Sequence, residues 1–335
     1  SPPTGFQFRQ IAMTIMSSES FAASQSFSMR KKFLYSFCVL VVFFGGLEVL
    51  FRFLGIGSPP EVADYIANWR IQWQGEFYTV KPNPIYGVNT DGVRDYQHKV
   101  ANSENHVRVV CLGDSVTAGY GLEYEDSFPA ILEQRLTNAG RSVEVFNVAL
   151  PGWSTRQEFI AYSTIVRKYK PDLVILGICL NDVAEMQNNT SRPPASVAWL
   201  NRYSYLFRSM IRSESQEISR VEELFQSPNA RHVQHGWEVC QGEILKLADA
   251  VNQDGCRFVM IVFPFRFQVE PHPPQPFAQE RLSGFAKTRG IEMLDVLPAL
   301  QPVGPQAFYD YDHLSKIGAD AVATRIIDSG VILVD

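Results

Sequence analysis

"VVCLGDSVTAGYG" (residues 109–121) is an apolar run that stops at Gly-Asp-Ser and then turns glycine-rich. A continuous run of this kind predicts a strand of a parallel sheet covered on both faces, since a half-exposed strand alternates. Ending such a strand on Ser115 brings backbone and hydroxyl into the open at the rim of the sheet. Either Ser115 caps the next helix, or it is a nucleophile held at a strand end. The rest of the chain decides between them.

The same rhythm continues on the C-terminal side. "VRVVCLGD" (107–114) precedes a helical stretch near 126–139, and "VEVFNVAL" (143–150) precedes one near 155–169. "DLVILGICL" (172–180), "CRFVMIVFPF" (256–265) and "IEMLDVL" (291–297) follow. Strand–helix alternation of this kind predicts an open, doubly wound α/β sheet. Two stretches interrupt it: residues 183–234 and the proline-rich "RFQVEPHPPQP" (266–276). Both follow strand C-termini, where open α/β sheets bind ligands, so each is a candidate substrate rim or lid, with peripheral decoration as the equal alternative.

Composition narrows the function. Over 335 residues the net charge is −5, and no long basic block follows residue 32, which argues against a nucleic-acid partner. The five cysteines (Cys38, Cys111, Cys179, Cys240, Cys256) show no CxxC spacing, so buried free thiols are expected, with disulfides the alternative, and no zinc site.

"MRKKFLYSFCVLVVFFGGLEVLFRFLGIG" (29–57) is the targeting signal. Phe33–Phe51 is just long enough to span a bilayer, and Glu48 and Arg52 have the spacing of an i,i+4 pair at the far surface. Arg30, Lys31 and Lys32 ahead of the span favour a cytoplasmic N-terminus and an extracytoplasmic remainder, periplasmic or extracellular. A cleaved signal peptide is second, because no A-x-A-like site follows. Residues 1–28 are serine-rich, with Glu19 their one carboxylate, and read as a disordered tail, a transit-like segment or sequence upstream of a start at Met29. Residues 58–106 form an N-terminal extension in which Asp91-Gly92, inside "YGVNTDGVRDYQ" (86–97), signals a hairpin turn. The α/β domain is expected over 107–335.

A serine hydroxyl needs a base, and the base usually needs a carboxylate. His98, His106, His232, His235 and His272 stand among polar, loop-like residues with no obvious partner. His313, in "FYDYDHLSKIGADAVATRI" (308–326), has Asp310 three residues before it, a spacing that lets the carboxylate reach Nδ1 and leaves Nε2 for the serine. Asp312 is expected to point elsewhere, and Ser315 to cap the following helix. An oxyanion hole then requires donors at neighbouring strand ends. Gly152 in "ALPGWS" (149–154) and Asn181 in "GICLNDV" (177–183) qualify, with the N–H of Ser115 as a third.

Together these residues resemble the SGNH/GDSL hydrolase superfamily of esterases and lipases over roughly 107–330. "GDSVTAG" matches its first block, Gly152 its second, Asn181-Asp182 its third and Asp310-x-x-His313 its last, in the family's order. Cys179 stands where the third block commonly has glycine. The resemblance implies a three-layer α/β/α sandwich with a mostly parallel, flavodoxin-like sheet. It also implies a Ser115-His313-Asp310 triad, a hole formed by Ser115, Gly152 and Asn181, supporting roles for Asp114 and Asp182, and no metal or cofactor. The anchor followed by a GDS domain is similar to bacterial extracytoplasmic members. The expected activity is hydrolysis of an acyl or acetyl ester of a lipid or glycan. Passing acyl groups to an envelope polysaccharide is the alternative, and a non-catalytic binding domain a further one.

Overall fold

Strands form where the continuous apolar runs place them. The computed structural model describes residues 28–56, 69–102, 105–184, 195–211 and 214–332. A short antiparallel pair, β1 (Ile71–Gln74) and β2 (Phe77–Val80), precedes five parallel strands. These are β3 (Val107–Gly113), β4 (Val143–Ala149), β5 (Leu173–Cys179), β6 (Arg257–Phe263) and β7 (Glu292–Asp295), in the order β4-β3-β5-β6-β7. That is the flavodoxin-like order, and its winding reverses between β3 and β5. Gly113 pairs with Ala149 on one side and Leu112 with Leu176 on the other, so three strands end along one edge. Val109–Leu112 and all of β5 are buried. At roughly 1.5–3 kcal/mol per fully buried aliphatic side chain, this centre dominates the stability.

The helices are α1 (Met29–Leu54), α2 (Ser115–Ala118), α3 (Phe128–Asn138), α4 (Thr155–Ala161), α5 (Asn181–Ala184), α6 (Ala195–Tyr203), α7 (Tyr205–Ile211), α8 (Glu214–Gln226), α9 (Arg231–Gln253), α10 (Phe277–Arg289), α11 (Leu297–Leu300) and α12 (Lys316–Ser329). Helix α3 packs on β4 and α12, whereas α4 packs on α9 and α10 on β7. For a sheet of this strand order, crossovers of the usual right hand place these two groups on opposite faces.

Two compact units divide the chain, one holding α1 with Ser204–Phe207 and the other the sheet and its helices. In the first, α1 has 26 residues, and an 18-residue stretch of it has a mean hydropathy of 2.2, long and apolar enough to cross a membrane. The expected pair forms, Arg52 Nε lying 2.8 Å from Glu48 Oε1. Glu48 also accepts from Ser204 Oγ at 2.8 Å and from the N–H groups of Tyr205 and Leu206 at 3.0 and 3.1 Å. Residues 1–27 and most of "NNTSRPPAS" (188–196) lie outside the described residues.

The second unit departs from the sequence reading in the extension. Asp91-Gly92 does make a turn, with Gly92 at φ +78, but Asn89 Oδ1 takes the N–H of Asp91 at 3.0 Å, and only an isolated bridge, Val88 to Arg94, flanks it. The hairpin proper is β1–β2, turning at Gly75. His98 is not the partnerless loop histidine expected. Its Nε2 lies 2.9 Å from Asp95 and its Nδ1 2.7 Å from Glu144, and its ring stacks on Phe146 at 3.8 Å. Burial alone lowers its pKa, but the two carboxylates reverse that and raise it. Glu144 also takes Arg108 Nε at 2.9 Å, so this ion-pair cluster fastens the extension to β3 and β4.

Candidate active site

Ser115 is not the cap of α2. Asp114 holds that position, its Oδ1 accepting the N–H of Val116 at 2.9 Å, and Ser115 is the first helical residue. Its N–H therefore belongs to the first turn, whose donors have no acceptor within the helix. Two glycines make room beneath it. A Cβ on Gly113 would lie 2.2 Å from Thr117 Oγ1, and one on Gly177 2.4 Å away, so Thr117 fills the space both leave open. Neither Thr117 nor Gly177 had been singled out from sequence. A glycine inside a strand was the available signal.

His313 sits on a loop closed by the Phe308–Leu314 bridge, ahead of α12, which Ser315 caps through the N–H of Gly318 at 3.3 Å. Asp310 organises that loop. Its Oδ2 lies 2.7 Å from His313 Nδ1, while Oδ1 accepts the backbone N–H groups of His313 and Asp312 at 2.9 and 3.1 Å. The imidazole stacks on Tyr120 at 4.4 Å, and the Tyr120 N–H donates to the Ser115 carbonyl at 3.0 Å. His313 thus lies against the segment that carries Ser115. Among the described residues no hydrogen bond joins Ser115 Oγ to the imidazole, and such bonds are often long until substrate tightens the site.

Asp312 corrects the sequence reading. Instead of pointing away, its Oδ1 lies 3.0 Å from His313 Nδ1 and its side chain is 1% exposed. Burial alone would lower the His313 pKa; the charge of Asp312, then the hydrogen bond and charge of Asp310, and then Asp114, overcome it and raise the value to about 9. Burial pushes the Asp310 carboxyl up, but His313 and the backbone N–H groups of His313 and Asp312 bring it below its ordinary range.

The other two strand ends lie on the same edge. Leu150–Trp153 is a turn closed by the Trp153 N–H on the Leu150 carbonyl at 3.1 Å, with Pro151 second and Gly152 third at φ +81, a conformation that favours glycine. The extension holds this turn: Tyr78 OH donates to the Pro151 carbonyl and Trp153 Nε1 to the Tyr78 carbonyl at 3.0 Å. Asn181 opens α5, and the buried Asp182 accepts the N–H of Cys179 at 3.3 Å. Arg94 ties down the loop after α2, donating to the carbonyls of Ala118, Gly119 and Leu122 at 3.1, 2.9 and 2.6 Å. Glu158 of α4 is fully buried, and burial, followed by the charges of Asp182 and Asp114, raises its pKa well above the ordinary carboxylate range. Tyr78, Arg94 and Glu158 carry no local pattern, so sequence reasoning missed them.

One group of potential metal ligands occurs among the described residues, Asp310, Asp312 and His313, with ligand atoms within 4.8 Å of one another. His313 Nδ1 is already engaged by Asp310 at 2.7 Å, so the three side chains form a carboxylate–imidazole cluster. Beside α5 a cavity of about 260 Å³ opens between Val183, Ala184, Leu224 and Val233, with Arg220 and His232 also lining it.

The sequence profile of the GDSL-like Lipase/Acylhydrolase family matches residues 111–321. An arylesterase of Vibrio mimicus is 32% identical over 82 residues, which are 24% of this chain and 41% of that protein, so the match spans less than half of the relative. Among solved structures, the acetylxylan esterase Axe2 of Geobacillus stearothermophilus is similar over 70% of this chain and 98% of its own, at 14% identity and a TM-score of 0.46. A member of the lipolytic protein G-D-S-L family from Veillonella parvula is similar over 68% and 99%, at 14% identity and a TM-score of 0.44.

Proposed function

The chain belongs to the GDSL-like lipase/acylhydrolase family of carboxylic ester hydrolases, and from that premise we propose that it is a membrane-anchored serine esterase working through an acyl-enzyme. The observation that carries this reading is the 2.7 Å contact between Asp310 and His313 Nδ1, on an imidazole stacked against the Ser115 segment. Ser115 Oγ attacks the ester carbonyl while His313 Nε2 takes its proton. Negative charge then develops on the carbonyl oxygen, facing the N–H groups of Ser115 and Gly152 and the Asn181 amide. The C–O bond breaks, the alcohol leaves with the proton from Nε2, and water, activated by the same imidazole, releases the acid and restores Ser115.

An acyl or acetyl ester of a lipid or glycan is the proposed substrate class. Full-length protein in detergent should hydrolyse 4-nitrophenyl acyl esters, and a fluorophosphonate should label Ser115 alone. Absence of both turnover and label would remove the esterase reading. Products measured with and without added glycan separate water from a sugar hydroxyl as the acyl acceptor.

The anchor is the other half of the proposal. Arg30, Lys31 and Lys32 precede the apolar helix and favour retention of its N-terminal side in the cytoplasm, with the esterase outside. A C-terminal alkaline phosphatase fusion in a bacterial host is expected to be active and a C-terminal β-galactosidase fusion inactive. The reverse pattern would place the esterase in the cytoplasm.

A further inference from the structure

We propose that Asp312 is a positioning residue: with Asp310 it brackets Nδ1 of His313, while the buried Cys179 thiol braces its far oxygen. The inference rests on the esterase reading above and adds a second acid to it. Asp312 Oδ1 is 3.0 Å from Nδ1, against 2.7 Å for Asp310 Oδ2. The two carboxylates differ in setting, for the Asp310 side chain is 26% exposed and that of Asp312 only 1%. On its inner side Asp312 Oδ2 lies 3.9 Å from Cys179 Sγ, on a residue with no exposed surface. Burial, followed by the charges of Asp114, Asp312 and Asp182, pushes the Cys179 thiol well up, so it stays protonated and is a donor to Asp312.

Each acid has its own task. Asp310 makes the hydrogen bond that fixes the tautomer, and its other oxygen is spent on the backbone of the loop. Asp312 acts by charge from the dry side, where a low dielectric gives a carboxylate more leverage on the imidazolium than the same charge has in water. Besides these two, the groups facing His313 are Asp114 and Tyr120 from the segment after β3 and Tyr311 on its own loop, while Cys179 of β5 faces Asp312. The sign follows from the role of the base. Neutral imidazole accepts the Ser115 proton, so turnover rises as pH climbs through the His313 pKa, placed at about 9. Removing a facing negative charge makes the imidazole give up its proton at lower pH.

The test uses full-length protein in detergent with 15N-labelled histidine, the His313 signal being assigned from a His313→Gln sample. The imidazole is titrated by NMR in the wild type, Asp312→Asn and Asp310→Asn, and kcat/KM for 4-nitrophenyl acetate is measured over the same pH range with Ser115→Ala as blank. Asp312→Asn is expected to move both the imidazole midpoint and the acid limb of kcat/KM to lower pH by about one unit or more. Asp310→Asn should also cost plateau kcat, because it disturbs the tautomer. An unmoved titration in Asp312→Asn, with kcat/KM merely scaled down at every pH, overturns the inference; Asp312→Ser carries the same measurement if the Asn variant does not fold. Hydrolysis by Ser115→Ala at the wild-type rate would instead overturn the esterase reading, and the NMR titration would still decide the role of Asp312.

Discussion

Ser115→Ala and His313→Ala are each expected to lower kcat/KM by at least about 10⁴-fold, and the double variant by scarcely more than either. A hydroxyl without a base stays protonated and attacks poorly, and a base without its nucleophile has no proton to take. Once one partner is gone, the other has little acyl-transfer route left to support. The stacking of His313 on Tyr120, whose N–H holds the Ser115 carbonyl, places the two groups on interlocked segments. Asp310→Asn is expected to fall short of either loss, because Asp312 still faces Nδ1 at 3.0 Å. All four variants should unfold at temperatures near the wild type, since the groups lie at the sheet edge and the buried strands carry the stability. The readouts are steady-state kinetics on a short aryl ester and thermal unfolding followed by circular dichroism. Losses that simply multiply in the double variant would mean that the two residues act independently.

The parallel sheet was legible because its strands are buried on both faces, which turns each into an unbroken apolar run. The runs at 107–114, 143–150, 172–180 and 256–265 became β3 to β6 with ends shifted by a residue or two. The short β1–β2 pair was not legible. "IQWQ" is mostly exposed and "FYTV" wholly buried, so the pair shows neither clean alternation nor one continuous run. The positions of Ser115, Gly152 and Asn181 were legible because each closely follows one of these apolar runs, and parallel strands end along one edge. What sequence could not provide was what lies behind them. His98 meets Glu144, Tyr78 meets Pro151 and Asp312 meets Cys179 across long stretches of chain. Sequence spacing placed Asp310 correctly because an i,i+3 contact is local. It misplaced Asp312 because that orientation depends on the space beside Cys179, at the end of a different strand.

Asn181→Ala is expected to lower kcat by about 10²–10³-fold with little change in KM, since an oxyanion donor matters chiefly when charge develops in the transition state. The substitution is a clean one. Asn181 is the first residue of a short helix, where alanine is well tolerated, and the adjoining turn is still held by Asp182 on the N–H of Cys179. The same test at Gly152 would be confounded. An alanine there would be strained at φ +81, and its Cβ would lie 3.3 Å from Tyr78 OH, disturbing the turn as well as the donor. Asn181→Asp sharpens the comparison, because it keeps the shape of the side chain, removes the donor and sets a negative charge where another must develop. It should therefore be slower than Asn181→Ala. Stopped-flow acylation with 4-nitrophenyl acetate reads the step directly, with thermal unfolding as the control. Full acylation rate together with a lowered unfolding temperature would make Asn181 a turn residue, and the charge would then rest on the N–H groups of Ser115 and Gly152 alone.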